Sequence, residues 1–153
     1  MPKRGFDPRG VIPACLMPFK ADLSIDEGAY RKHLADIAAV DGISGITING
    51  HAAEVHALTI DDQHRALVVT KDALGDRVPI IVGVYTSSSL EAARIAADAE
   101  REGADALHVF PPEVMAMGGL LRPEMFREHL RLVTDACDLP IILFQYPAAS
   151  NLG

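Results

Sequence analysis

The chain has 153 residues, of which 49% are hydrophobic and 23% charged, enough to bury one sizeable core in a single domain. Its formal net charge of −7 and lack of any Lys/Arg run exclude the broad electrostatic footprint of a nucleic-acid or membrane-surface binder and leave a small polar or anionic substrate open. Cys15 and Cys137 lack CxxC spacing, the first ten residues carry no apolar h-region, and the apolar runs are short, so a disulfide framework, a zinc knuckle, a signal peptide and a membrane span are not expected, and the default location is cytoplasmic.

After a polar tail over residues 1–10, short apolar runs alternate with longer amphipathic stretches. The first run, 11–17, predicts a strand. Ser24-x-x-Glu27 then has capping-box spacing, and Tyr30, Leu34, Ile37 and Ala38 recur along one helical face, with Gly42 as the closing glycine. A second strand over 43–48 leads through a polar loop to Thr59-x-x-Asp62, which opens an acidic helix ending at Gly75. A strand over 79–85 precedes Ser88-x-x-Glu91 and an alanine-rich helix ending at Gly103, and a fourth strand spans 105–110. Pro123 suits the first turn of a helix carrying Phe126, Leu130, Val133 and Cys137. A fifth strand covers 140–146. Most of these strands are Val/Ile/Leu-rich without strict alternation, as in parallel sheets covered on both faces.

Five strands and four helices in strict βα order fit two architectures, an open doubly wound sheet and a closed (β/α)₈ barrel. The first βα turn, Pro18-Phe19-Lys20-Ala21-Asp22, has no G-x-G-x-x-G or P-loop spacing, which favours the barrel. Such barrels run to roughly 250 residues, so residues 11–153 are expected to form only the N-terminal part, with the C-terminal βα units absent. The first and fifth strands would then be exposed edges flanking an uncovered apolar face.

In barrels of this kind substrates bind at the C-terminal ends of the strands. The richest loop there is Asn49-Gly50-His51-Ala52-Ala53-Glu54-Val55-His56-Ala57-Leu58, running into Thr59. This G-x-x-(small)-E-x-x-x-L-T pattern after a strand resembles the second-strand signature of the dihydrodipicolinate synthase/N-acetylneuraminate lyase family, whose usual reading is Gly-Thr-Thr-Gly-Glu. Pro18-Phe19 in the first loop, Arg77-Val78-Pro79-Ile80-Ile81-Val82-Gly83-Val84 at the third strand and Asp138-Leu139-Pro140-Ile141-Ile142-Leu143 at the fifth agree in order. The similarity covers the chain after about residue 10.

The resemblance implies a class I lyase or aldolase acting on pyruvate or another 2-keto acid, without metal or organic cofactor, assembled as a homo-oligomer. The substrate forms a Schiff base with a lysine on the sixth strand, which is expected beyond Gly153, so this chain alone is expected to be inactive. Gly50, His51, Ala52 and Glu54 occupy the loop that binds the substrate carboxylate, with Glu54 organising that loop. His51 and Ala52 stand where the family has two threonines. The family's Tyr-Asn-x-Pro reads Phe144-Gln145-Tyr146-Pro147, which aligns its acid/base phenol with Phe144. Tyr146, two residues on and on the same strand face, is the candidate for a displaced phenol, and His51 for a replacement proton shuttle. The loop after Phe110 reads Pro111-Pro112-Glu113 in place of a tyrosine pair, and no arginine follows Pro147 where synthases usually have one. Lysine biosynthesis is therefore not the expected activity.

Plainer readings stand beside these. His51 and His56 also fit structural or surface histidines, Tyr146 a strand-end aromatic, residues 87–89 a helix cap, and Met115 and Met117 a pocket lining or a subunit contact. His51-x-x-Glu54-x-His56 can be read as a metal cluster of a metal-dependent aldolase or hydrolase barrel, although the spacing is not that of two ligands on one helical face. A non-enzymatic half-barrel acting through oligomerisation is the remaining alternative.

Overall fold

The computed structural model describes residues 6–150. Four parallel strands, β1 (Ile46–Ile48), β2 (Ile80–Val84), β3 (Ala106–Val109) and β4 (Ile141–Leu143), lie side by side in chain order. Helices α1 (Glu27–Ala38), α2 (Ile60–Leu74), α3 (Ser89–Arg101) and α4 (Pro123–Ala136) fall before β1 and between successive strands. This is an α/β chain of βα units whose neighbours in sequence are neighbours in the sheet, the strand order of a (β/α)₈ barrel.

The strands divide their side chains between two faces because successive residues point oppositely. Ile46, Ile48, Ile80, Val82, Val84, Leu107 and Val109 share one core with Tyr30, Leu34, Leu67 and Val133 of the helices. Tyr30 is fully buried there, and its hydroxyl donates to Thr70 Oγ1 at 3.0 Å, since the Thr70 proton is given to the Ala66 carbonyl at 2.7 Å. Burial pushes the Cys15 thiol up to about 12, so this cysteine is a core side chain held neutral. Cys137 is buried as well.

The helix ends follow local chemistry in most places. Thr59 and Asp62 form the reciprocal capping box at α2, Ser88 accepts from the Glu91 amide at α3, and Pro123 sits in the first turn of α4. Gly75 caps α2 at φ 57°. The start of α1 differs from the spacing-based expectation: Asp26, not Ser24, is the N-cap, accepting from Ala29 N at 3.0 Å, while Ser24 Oγ donates to Asp22 at 2.7 Å. The carboxylate two residues closer to the helix takes the cap because it reaches the free amide directly. Gly42 is likewise not a cap, since α1 ends at Ala38 with Ala39 as its C-cap.

Each observed strand is shorter than its expected run, the second covering only Ile46–Ile48 of 43–48, and the first and fifth runs depart most. Residues 11–17 run alongside β1 but join it only through isolated bridges, Val11 to Ile43 and Ala14 to Thr47. Three residues on one side thus span four on the other, and the slip falls at Pro13, which has no N–H to continue the ladder but whose carbonyl still accepts from Thr47 N at 2.9 Å. The fifth predicted strand, 140–146, is ordered as β4 over Ile141–Leu143, extended by one further bond from Phe144 N to Val109 O.

Candidate active site

The face of the sheet opposite the helices carries the candidate site. In register, Gly83 of β2 pairs with His108 of β3, and His108 with Ile142 of β4. Two residues on, Tyr85, Phe110 and Phe144 follow at the C-terminal ends of the same strands, and Tyr146 lies two beyond Phe144.

β1 turns into its loop through Asn49, buried and in a left-handed conformation at φ 52°. Gly50 is buried and extended, residues His51–Ala53 form a 3₁₀ turn, Glu54 is left-handed at φ 53°, and Val55–Ala57 form a second turn before the α2 cap. The Gly50 carbonyl accepts from Ala53 N at 3.0 Å and Val55 N at 3.4 Å, and the His51 carbonyl from Glu54 N at 3.0 Å. The first-turn amides of His51 and Ala52 have no preceding carbonyl of the turn to bond. Ala52 and Glu54 are exposed and border a cleft of about 330 Å³ shared with Leu16, Met17, Pro18 and His33.

This loop drops the His51 ring into a cluster of aromatics. It meets Phe110 edge-on at 4.5 Å between centroids, Tyr85 at 5.4 Å, Phe144 at 5.5 Å and Tyr146 at 5.4 Å. His108 packs on Phe110 and Phe144 one layer deeper. His51 Nε2 and the Tyr146 hydroxyl are 2.5 Å apart. Desolvation, with the nearby charge of His56 adding to it and Glu113 opposing, holds the His51 imidazole below the ordinary histidine value. Burial first and the Glu113 charge second raise the Tyr146 phenol. Both shifts favour the neutral pair, in which the phenol O–H donates to imidazole Nε2.

Of the residues expected from sequence, His51 and Tyr146 are therefore in contact, while Gly50, Ala52 and Glu54 lie in the same loop as His51, with Ala52 and Glu54 facing the separate cleft beside Leu16 and His33. Tyr85, His108, Phe110 and Glu113 converge there as well, and the sequence assigned them no role. Tyr85 carries a phenol raised by burial and then by a hydrogen bond to Glu113. Glu113 opens the 3₁₀ turn Glu113–Ala116 after β3 and is felt by Tyr85, Tyr146 and His51. His108, lowered by burial and then by His51, is found by stepping two residues back from Phe110 along a strand. Among the described residues no three His, Cys, Asp or Glu side chains are grouped to hold a metal ion, and no helix is long and apolar enough to cross a membrane.

Comparisons with known proteins bear on the fold and the family. A 4-hydroxy-tetrahydrodipicolinate synthase of Salinibacter ruber is 33% identical over 147 residues, covering 95% of this chain and 46% of that protein. A crystal structure of dihydrodipicolinate synthase superposes with a TM-score of 0.78 at 26% identity, over 91% of this chain and 46% of the other. The synthase of Methylacidiphilum fumariolicum superposes at 0.79 and 22% identity, over 93% and 45%, and shows the shared fold. The chain thus spans about half the length of the relatives it matches. The family model for the dihydrodipicolinate synthetase family matches residues 7–153, and the chain belongs to that family.

Proposed function

We propose that residues 11–153 are the N-terminal part of a (β/α)₈ barrel that acts as a Schiff-base-forming lyase or aldolase on pyruvate or another 2-keto acid. The observation that carries this reading is the 2.5 Å contact between His51 Nε2 and the Tyr146 hydroxyl at the C-terminal ends of the strands. Family membership supports the reaction class. The lysine amine, placed by family analogy on a later strand outside this chain, condenses with the ketone and releases water. The resulting iminium draws electrons from the adjacent carbon–carbon or carbon–hydrogen bond. A partner is then needed to move a proton between the developing alkoxide and solvent.

The neutral His51–Tyr146 pair is suited to that work. In the cleavage direction Tyr146 takes the substrate hydroxyl proton as its own proton passes to His51 Nε2, and in the synthetic direction the imidazolium so formed returns it. The loop residues Gly50, His51, Ala52 and Glu54 hold the carboxylate at the amides of the first 3₁₀ turn. In this reading the nucleophilic lysine lies outside residues 11–153, so this chain alone is inactive, and the complete enzyme is a cytoplasmic homo-oligomer.

The test is turnover of 2-keto acid adducts by the full-length gene product and its variants. Tyr146→Phe and His51→Ala should each lower kcat by about 10²–10⁴, the usual worth of a positioned acid/base, with smaller effects on KM. Unchanged kcat in both would remove this pair from the mechanism. A second reading, a non-enzymatic half-barrel held by association, draws on the exposed Leu16 (59%) and Leu143 (50%) near the sheet's open edges. It predicts an obligate oligomer with no turnover of any 2-keto acid.

A further inference from the structure

We propose that the small cavity between the end of β1 and the start of α2 is a built site for one internal water molecule, and that through it Asn49 acts as the positioning residue of the loop 50–54. The water site stands on its own observations, whereas the positioning role rests on the functional reading above.

The cavity is lined by Asn49, Gln63, His64 and Asp98 together with apolar side chains that include Leu67 and Val82, and has a volume of about 20 Å³. Asn49 is 1% exposed and Gln63 5%. Each amide orientation is set by its nitrogen: Asn49 Nδ2 donates to the Gln63 carbonyl at 2.9 Å, and Gln63 Nε2 to the Leu58 carbonyl at 3.4 Å. Turning either amide over would set two carbonyl oxygens against each other, so the oxygens are committed to the remaining space. Among the described residues neither Asn49 Oδ1 nor Gln63 Oε1 has a donor.

Two buried acceptors without donors are costly, and native interiors satisfy nearly all such groups. The ligand that fits must supply two donors in a space of about one probe sphere, which is the description of a water molecule. A dehydrated metal cation needs several more oxygens. The carboxylate at the cavity, Asp98, is engaged by Arg101 at 2.5 Å, His64 bonds neither oxygen, and the rest of the wall is apolar.

The site bears on the loop because Asn49 is the last residue before Gly50 and stands in a left-handed conformation. Its side chain is anchored to α2 on one side through the Gln63 carbonyl and, in this proposal, on the other through water to the Gln63 side chain. The direction in which the chain leaves β1, and hence where the His51 ring falls, is set by that double anchor.

The water is tested by a crystal structure of this chain resolving ordered solvent, with Gln63→Met as the comparison. The expected result is a single peak about 2.8 Å from both oxygens, lost when the methionine fills the space. A dry cavity, or a peak with the anomalous signal of a metal, would overturn the proposal. The positioning role is tested by NMR titration of the His51 ring in Asn49→Gly, which keeps the left-handed backbone accessible, against Val133→Ala, a core truncation in α4, as a variant weakened elsewhere. The His51 midpoint should rise toward the ordinary histidine value in the first and stay in place in the second. An unmoved midpoint in Asn49→Gly, or equal movement in both, would reject the positioning role while leaving both the water site and the reaction class to their own tests.

Discussion

The carbonyl oxygen of Asn49 lies 1.9 Å from where a Cβ on Gly83 would stand, so β2 passes the end of β1 only because residue 83 has no side chain. The obstacle is backbone, which cannot swing aside as a flexible side chain can. Gly83→Ala should therefore destabilise the chain by about 1–3 kcal/mol or more, the range for overpacked interiors, measured from denaturant midpoints. A loss near zero would mean that β1 and β2 separate more easily than their register implies.

The His51–Tyr146 contact makes a prediction about protonation. A phenol donating to neutral imidazole stabilises the neutral form and so adds to the effect of burial on His51. Tyr146→Phe keeps the ring but removes the donor. The His51 midpoint, followed by NMR, should move up toward the ordinary value of 6.5. A further fall would show that the phenol is instead the acceptor.

Stability should depend on pH in a stated direction. Burial, the largest cause at each, lowers His51, His108 and His129, and His129 is further enclosed against Ser89, whose hydroxyl is 3.0 Å from its Nδ1. The unfolded chain then binds more protons than the folded one below the ordinary histidine pKa of about 6.5. The stability is fully present above that value and is lost as pH falls through the lowered folded values. Denaturant midpoints should drop from pH 7.5 to pH 5 and drop less in His129→Gln. Carboxylates such as Glu27 and Glu128, also lowered, act at lower pH. A midpoint that rises on acidification across the histidine window would contradict this account.

Two caps that look alike in sequence should respond differently. Asp62 N donates to Thr59 Oγ1 at 3.1 Å, and Thr59 N to Asp62 Oδ2 at 3.1 Å, whereas Ser24 makes no cap bond. Thr59→Ala should cost about 1 kcal/mol, and Ser24→Ala should stay within about 0.5 kcal/mol, the usual range for surface changes. Thermal or chemical denaturation distinguishes them, and equal losses would restore Ser24 as the start of α1.

Much of the fold was legible because each βα unit repeats one pattern, a Val/Ile/Leu run followed by an amphipathic stretch with its own cap. Strand ends were less so. Apolar runs report burial, while a ladder needs donors, and Pro13 removes one in the middle of the first run. His51 and Tyr146 could each be anticipated as candidates from a strand-end loop and a two-residue step past Phe144, but not their contact. The roles of Tyr85, His108, Phe110 and Glu113 around them could not, because that convergence depends on the register pairing Gly83 with His108 and His108 with Ile142, and register across parallel strands is not written in any one of them.

The most direct test of the central claim is borohydride trapping of the full-length gene product with pyruvate, followed by peptide mapping. The account predicts one reduced adduct, on a lysine C-terminal to Gly153, and none on Lys20, Lys32 or Lys71. Failure to trap any adduct under turnover conditions, or an adduct on one of those three lysines, would contradict the Schiff-base reading of this site.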